Sequence, residues 1–423
     1  MQNIIDILTE RGFIEAMTSQ EIKALAEKPL KVYCGFDPSA DSLHVGSLVP
    51  IMALAWFQRY GHTPVAIVGG ATGMIGDPSG KSTERKLLDE KTIDHNVQGI
   101  SQNLKAILDF QCQGNTAKLL NNLDWFKEFS LIQFLRDVGK FFRLGPMLAK
   151  DSVKARLNSE EGMSFTEFSY QTLQGFDFLH LFENHQVSVE IGGSDQWGNI
   201  TAGIDLIRKV HGKAAFGITF PLLTQSDGQK FGKSEKGAIW LSAAKCSPYE
   251  FYQYFVRVAD ADVIKLMRLL TFIEMEEIRR YEEMMKKADY VPNTAQKRLA
   301  DAVTCIVHGE EALKTALRVT LAAAPGADTV LDAEVLESIS TDMPSHSLSL
   351  IDIVDKQLLD LLITVGLQTS KSEGRRLIRN GGVYLNNKKI TDENRTIERG
   401  DLIDGKLLLL AAGKKNKVLI RVS

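Results

Sequence analysis

The sequence predicts an α/β protein whose first half is a doubly wound parallel sheet, followed by an α-helical domain and a small α+β module. Three observations predict it. Residues 30–36 read as a short buried strand running into the turn-rich segment Gly35-Phe36-Asp37-Pro38-Ser39; a mostly apolar helical stretch then extends from Gly46 to Tyr60, and a second strand follows at residues 65–69. A similar unit recurs where alternating apolar residues at 187–191 meet Gly192-Gly193, a polar cluster and a helical pattern over residues 199–210. From Ser247 to about Ala324 the periodicity is helical throughout, with Glu-rich and Lys-rich faces. Repeated strand-to-helix crossovers imply parallel strands, and such sheets bind ligands at the carboxyl ends of their strands, where both glycine-bearing loops fall.

Size and composition fit this architecture. A chain of 423 residues and 47.0 kDa suggests about three domains at roughly 150 residues each. Hydrophobic residues at 44% and charged residues at 24% exclude a wholly disordered, collagen-like or coiled-coil chain. The longest apolar candidate near the start, residues 4–7, is interrupted by Asp6, so neither a membrane span nor a secretory signal is expected. Cys34, Cys112, Cys246 and Cys305 lie far apart without a C-x-x-C pair. No zinc site, no other protein-held metal and no disulfide framework is indicated, and the pattern suits a reducing cytoplasm.

The net charge of -3 hides an asymmetry: residues 351–423 carry 14 basic and 9 acidic side chains, a net of +5, whereas the preceding residues are net -8. With the mixture of Pro, Gly, Asp and Ser around one short helical pattern between Ala324 and Ser349, this divides the chain into a sheet domain at 1–222, a helical domain at 223–324, a linker at 325–350 and a compact basic module at 351–423. No internal repeat of fixed period is present.

Two motifs carry chemistry. Leu43-His44-Val45-Gly46-Ser47 places an imidazole and a glycine at a helix start, where free backbone N–H groups and the macrodipole favour a phosphate chain. Alone, a His beside a Gly also reads as a structural cap. Lys230-Phe231-Gly232-Lys233-Ser234 follows the turn signal Ser226-Asp227-Gly228 and forms a loop able to close on a polyphosphate. Alone, it also reads as a solvated basic turn.

Together the two motifs resemble the signature sequences of class I aminoacyl-tRNA synthetases. The resemblance extends to Tyr33-Cys34-Gly35-Phe36-Asp37-Pro38, to Gly70-Ala71-Thr72-Gly73-Met74-Ile75-Gly76-Asp77-Pro78-Ser79-Gly80-Lys81, and to Ile191-Gly192-Gly193-Ser194-Asp195-Gln196-Trp197-Gly198-Asn199. These are similar to the bacterial-type tyrosyl-tRNA synthetases over essentially the whole chain. A rival reading of Gly76–Ser82 as a P-loop fails, because three residues separate the glycines where four are needed, Pro78 removes an amide donor and Asp77 adds negative charge.

The resemblance implies a Rossmann-like catalytic domain with a dimerisation segment inserted at about 120–160, around Phe134 to Leu157, and a homodimer. It implies that Tyr33 and Asp177 contact the phenolic hydroxyl of tyrosine, and that Asp77, Tyr170 and Gln174 hold its ammonium group, with Gln196 beside them. Tyr170, Gln174 and Asp177 at i, i+4 and i+7 fall within roughly 60° of one helix face, so they can converge on one ligand. On the nucleotide side it implies Cys34, Gly35, Asp37, Gly193, Asp195 and Gln196 around the ribose and reacting carboxylate, and Ser39 and His44 near the phosphates. Lys81, Arg85, Lys230, Lys233 and Ser234 would close over the pyrophosphate. Ser47 stands where the family usually has His or Asn, a shorter donor that can reach the nucleotide through water.

The basic end, Ser370 to Asn386, resembles an RNA-binding module first described in a small-subunit ribosomal protein. Its helix would present Lys371, Arg375, Arg376 and Arg379 to a phosphate backbone. The implied activity is tyrosine activation with ATP, Mg²⁺ accompanying the nucleotide, followed by transfer to the terminal adenosine of tRNA(Tyr). A tryptophanyl enzyme and a non-catalytic RNA-binding protein are the alternatives; the first would lack the Tyr33/Asp177 pair and the basic module.

Overall fold

The computed structural model describes residues 2–79, 87–158, 160, 162–226, 228, 231–234, 237–322, 331–340, 343–413 and 416–423. The chain forms two compact units, Met1–Cys246 with Phe255–Val307, and Ser247–Tyr254 with His308–Ser423. No described helix is long and apolar enough to cross a membrane.

The first unit is built on six strands: β1 (Ala16–Met17), β2 (Lys31–Phe36), β3 (Thr63–Val68), β4 (Lys118–Asn121), β5 (Val189–Gly193) and β6 (Phe216–Phe220). Their order is β1-β6-β5-β2-β3-β4, parallel except for β1 against β6. The chain winds outward from β2 through β3 to β4, then returns to β5 and winds the other way. The order therefore reverses between β2 and β5, where a crevice opens at the carboxyl ends. Tyr33 of β2 is in register with Glu190 of β5 across that line.

Helices cover both faces. The Leu48–Arg59 helix is buried from Leu48 through Phe57 apart from Pro50, which explains its nearly unbroken apolar sequence: it packs on the sheet and on neighbouring helices at once. The Phe165–His185 and Trp197–His211 helices pack together, and Phe176, Phe178, Leu206 and Ile207 share a core with Tyr33, Val65 and Ile67 of the sheet. Arg11 fastens the first helix to the Asp260–Leu270 helix by donating to the carbonyls of Arg268 and Thr271 at 3.2 and 3.3 Å.

In the second unit, β9 (Ser345–Leu348), β10 (Val383–Leu385), β11 (Lys388–Ile390), β12 (Leu407–Ala412) and β13 (Asn416–Val422) make a sheet of order β11-β10-β12-β13-β9; the short hairpin β7 (Lys233–Ser234) and β8 (Gly237–Ala238) lies in the first unit. β12 is buried along its whole length. Leu408 and Leu410 face a core with the Leu358–Thr364 helix, while Leu407 and Leu409 face Val319, Ala322, Val335, Leu336 and Ile339.

This arrangement differs from the expected boundaries. Residues 331–340 and 343–350 are not a bare linker, since the Ala333–Ser340 helix and β9 belong to the second unit's core and sheet. The Glu310–Ala322 helix, expected in the helical domain, also joins that unit. The reason is physical: the odd-numbered leucines of β12 need an apolar cover, and these helices supply it.

Candidate active site

A cavity of about 530 Å³ opens at the carboxyl ends of β2 and β5. Its rim, the 37–44 loop, is held by the Glu90–Ile107 helix. Asn96 Nδ2 donates to the Pro38 carbonyl at 2.9 Å, and Asn103 Oδ1 accepts from Leu43 N at 2.8 Å and from Ser42 Oγ at 3.1 Å. Two buried amides seven positions apart thus fix both ends of the loop that leads into His44.

The cavity floor is a buried polar network. Asp177 accepts from Trp125 Nε1 at 2.8 Å and from Asn122 Nδ2 at 3.0 Å. Asn122 Nδ2 also donates to Thr72 Oγ1 at 3.0 Å, and Thr72 donates onward to Asp37 at 2.8 Å. Tyr170 Oη donates to the other Asp37 oxygen at 2.8 Å. A Cβ on Gly69 would fall inside van der Waals contact of both Asp37 Oδ1 and Thr72 Oγ1, so this strand end requires glycine. Asp77 accepts from Gln196 Nε2 at 2.7 Å and from Ser79 N at 3.0 Å.

Burial governs the acids here. It pushes Asp177 up to about 8, against the hydrogen bonds from Asn122 and Trp125 that favour its charged form, while the nearby acids Glu190 and Asp37 push it further up. Glu190 is raised to about 7 by burial, with Gln174 and Tyr33 pulling it down. Burial, together with Glu190 and Asp177, holds Tyr33 well above an ordinary phenol; burial and Asp37 do the same for Tyr170. The Cys34 thiol is likewise raised by burial and stays neutral.

These constraints leave a ligand-shaped set of contacts. Tyr170 gives its proton to Asp37 and keeps lone pairs for an ammonium group. Gln174 Nε2 donates to Glu190 at 2.9 Å, which leaves its carbonyl oxygen as an acceptor. With the Asp77 carboxylate this makes three acceptors, the number of N–H bonds an ammonium offers.

At the opposite side, His44 is exposed and its Nδ1 accepts from Gly46 N at 3.0 Å, capping the Val45–Ser47 turn. With Nδ1 taken up as an acceptor, Nε2 is the ring nitrogen that can donate. The hairpin after the lysine motif returns to this turn: Ile239 N donates to Gly232 O at 2.9 Å, Val45 N to Ile239 O at 2.9 Å, and Leu241 N to Leu43 O at 2.8 Å. Gly232, at φ +90°, packs against Gly46 and Val45, a conformation that disfavours any side chain.

Every described residue expected on the tyrosine or nucleotide side whose side chain is described lines this one cavity, from Tyr33 and Cys34 to Asp195 and Gln196. Lys81, Arg85 and Lys230 lie outside the described residues, and Lys233 and Ser234 are described only as the backbone of β7. Sequence reading missed Thr72, Asn122, Trp125 and Glu190. Thr72 sits inside a quoted motif, and Glu190 is the one charge in an otherwise apolar strand, which is the signal that marks it. Among the described residues no cluster of three or more His, Cys, Asp or Glu side chains is arranged to hold a metal ion.

On the basic helix of the second unit, Lys371–Arg379, the four expected RNA contacts are all exposed. Lys371 pairs with Asp360 at 2.6 Å and Arg379 grips Glu393 with two hydrogen bonds. Such exposed pairs contribute little stability and open readily to a phosphate.

Comparison with known proteins accounts for both units. Residues 25–323 match the profile of the class I tRNA synthetases (W and Y), and residues 335–420 match the tyrosine–tRNA ligase SYY-like C-terminal domain. The chain is 69% identical over 422 residues to the tyrosine–tRNA ligase of Protochlamydia amoebophila, covering 100% of this chain and 99% of that one. It is 52% identical to the chloroplastic/mitochondrial tyrosine–tRNA ligase of Arabidopsis thaliana, covering 100% of this chain and 84% of that one. Among solved structures it resembles a C-terminally truncated mitochondrial tyrosyl-tRNA synthetase of Coccidioides posadasii, with a TM-score of 0.65 and 34% identity over 75% of this chain and 91% of that one. With both regions matched and relatives aligned from end to end, the chain belongs to the tyrosyl-tRNA synthetases of class I.

Proposed function

We propose that the cavity between β2 and β5 holds L-tyrosine and ATP together, with the phenol against Tyr33 and Asp177 and the ammonium group among Asp77, Tyr170 and Gln174. The activity of the family is ATP-dependent attachment of tyrosine to tRNA(Tyr), and one observation carries the assignment of this cavity to it: the acceptors of Asp77, Tyr170 and Gln174 line the same pocket as a buried carboxylate, Asp177, held 2.8 Å from the indole nitrogen of Trp125. Phenylalanine brings no hydroxyl to Asp177 or to the buried Tyr33 hydroxyl and so forfeits those hydrogen bonds, which makes rejection of the missing hydroxyl large.

The tyrosine carboxylate attacks the α-phosphate of ATP, pyrophosphate leaves, and the tyrosyl group then passes to the terminal adenosine of the tRNA. No side chain becomes covalently attached. Asp37, Gly193 and Asp195 support the ribose and the reacting carboxylate, and His44 Nε2 donates to the phosphates. Lys230 and Lys233, with Lys81 and Arg85, neutralise the developing charge, so catalysis comes from positioning and electrostatics. Mg²⁺ arrives with ATP as its counter-ion. The packing of Gly232 on Gly46 supports this reading, because it brings the base of the lysine loop to the His44 turn.

We also infer a homodimer formed through the segment at about 120–160. Leu131, Ile132 and Leu144 are 66–72% exposed there, and Phe165, just beyond it, 75%: large apolar side chains that a partner would cover. Light scattering at micromolar concentration is expected to give twice 47.0 kDa; the monomer mass would refute it. We infer a reducing, cytoplasmic location, which four cysteines spaced far apart suit.

ATP–pyrophosphate exchange with tyrosine, phenylalanine and tryptophan in parallel tests the site. Exchange with tyrosine alone is expected. Exchange with tryptophan, or none with any of the three in a folded protein, overturns the assignment.

A further inference from the structure

Glu190 stands beside Tyr33 in the register of β5 against β2, and its side chain lies 2% exposed under the Phe165–His185 helix. From that helix Gln174 Nε2 donates to Glu190 Oε1 at 2.9 Å. Among the described residues, neither Glu190 Oε2 nor Tyr33 Oη has a hydrogen-bond partner. The Tyr33 phenol beside it is near enough to favour the charged form of Glu190 without a hydrogen bond of full geometry, so the one firm bond of this buried carboxylate is to a ligand-facing amide, which makes it a sensitive element.

We propose that Glu190 is a positioning residue of the tyrosine site: ionised, it fixes the Gln174 amide with the carbonyl toward the ligand ammonium, and protonated it releases that amide, so tyrosine affinity falls as the medium becomes acidic. The logic is that of donors and acceptors. An ionised carboxylate can only accept, so the N–H end of Gln174 must face it and Oε1 must face the cavity. With its proton on the oxygen that faces Gln174, Glu190 donates to Gln174 Oε1, which turns the amide round and presents N–H groups to the ammonium; a proton held on the other oxygen leaves the amide in place and gives a flat profile. The inference rests on the placement of that ammonium among Asp77, Tyr170 and Gln174.

The titratable groups acting on Glu190 are Tyr33 and Cys34 from β2 and Asp177 from the helix above. Tyr33 and Cys34 stay neutral across the physiological range, and Asp177 is itself an acid raised by burial. None of the three supplies a cation. Burial therefore dominates and sets Glu190 to titrate at about 7, and an incoming ammonium favours its charged form by the same free energy with which Glu190 favours the ammonium.

The test is the dissociation constant of L-tyrosine for the full chain at pH 6, 7 and 8, measured by fluorescence titration. The wild type is expected to bind about tenfold more weakly at pH 6 than at pH 8, as one proton titrating near 7 requires. Glu190→Gln is expected to bind more weakly at pH 8 and to show a flat profile, because an amide at 190 accepts either orientation of Gln174. A flat wild-type profile overturns the proposal even if the variant fails to fold; an inflection kept in Glu190→Gln also overturns it and assigns the proton to Asp177. Gln174→Ala separates the two layers. Weaker tyrosine binding at pH 8 supports the ammonium placement whatever the profile shows, and unchanged binding refutes that placement itself.

Discussion

Asp177 and Glu190 make the floor of the cavity a liability for the fold. Both acids titrate higher in the folded chain than their ordinary values, so between about pH 4 and 8 the native state holds protons that the unfolded chain has lost. Stability therefore falls as pH rises through that window, and the penalty is complete above the folded values. Glu190→Gln removes one of the two charges and keeps an amide oxygen to accept from Gln174 Nε2. The ligand-free variant is expected to be more stable than wild type at pH 8 by on the order of 2 kcal/mol, with the difference gone only at about pH 4, below the ordinary value of a Glu, as read from urea midpoints. A variant no more stable at pH 8 would mean that Glu190 carries no such cost. At this scale the sequence was legible where residues of one helix share a face, as Tyr170, Gln174 and Asp177 do. It was silent where partners come from separate segments: nothing local connects Asn122 or Trp125 to a carboxylate 55 or 52 positions away.

Among the elements, the strand, glycine loop and helix units at residues 30–69 and 187–210 were readable because each carries a change of hydrophobic period at a glycine. What the Glu90–Ile107 helix does was not, since Asn96 and Asn103 look like ordinary polar residues until the 37–44 loop lies on them. Asn103→Ala leaves the Leu43 N–H without its acceptor and loosens the approach to His44. The expected result is a loss of about 1–3 kcal/mol of stability and a raised KM for ATP in pyrophosphate exchange, with tyrosine binding at equilibrium unchanged. A variant that weakens tyrosine binding as much as ATP use would show that the helix supports the whole pocket rather than the phosphate end. The Ala333–Ser340 helix was visible as a short helical pattern, but its Pro-, Gly- and Ser-rich flanks disguised it as a linker. Only the second apolar face of β12, Leu407 and Leu409, which it covers, explains why it is there.

Across the whole molecule, charge separates the two tasks of the enzyme: net -8 before residue 351 and net +5 after it. Arg375→Ala with Arg376→Ala should leave tyrosine-dependent pyrophosphate exchange intact, weaken tRNA binding, and flatten the dependence of log affinity on log salt by about 1.5. An unchanged salt slope would place the RNA elsewhere. The doubly covered strand of the C-terminal unit has a further consequence, for biosynthesis. Leu407–Ala412 contains no charge, and one of its two hydrogen-bonded neighbours is β13, made after it. While the nascent chain lacks those residues, it exposes an uncharged six-residue segment with an open edge, the kind of segment that seeds aggregation. Ending translation after Gly413 is thus expected to send the product to inclusion bodies even though the catalytic unit is complete; a soluble product would show that the remaining layers shield that edge. The ribosome must deliver residues 416–423 before the module can close, which makes the final strand the gatekeeper of soluble expression.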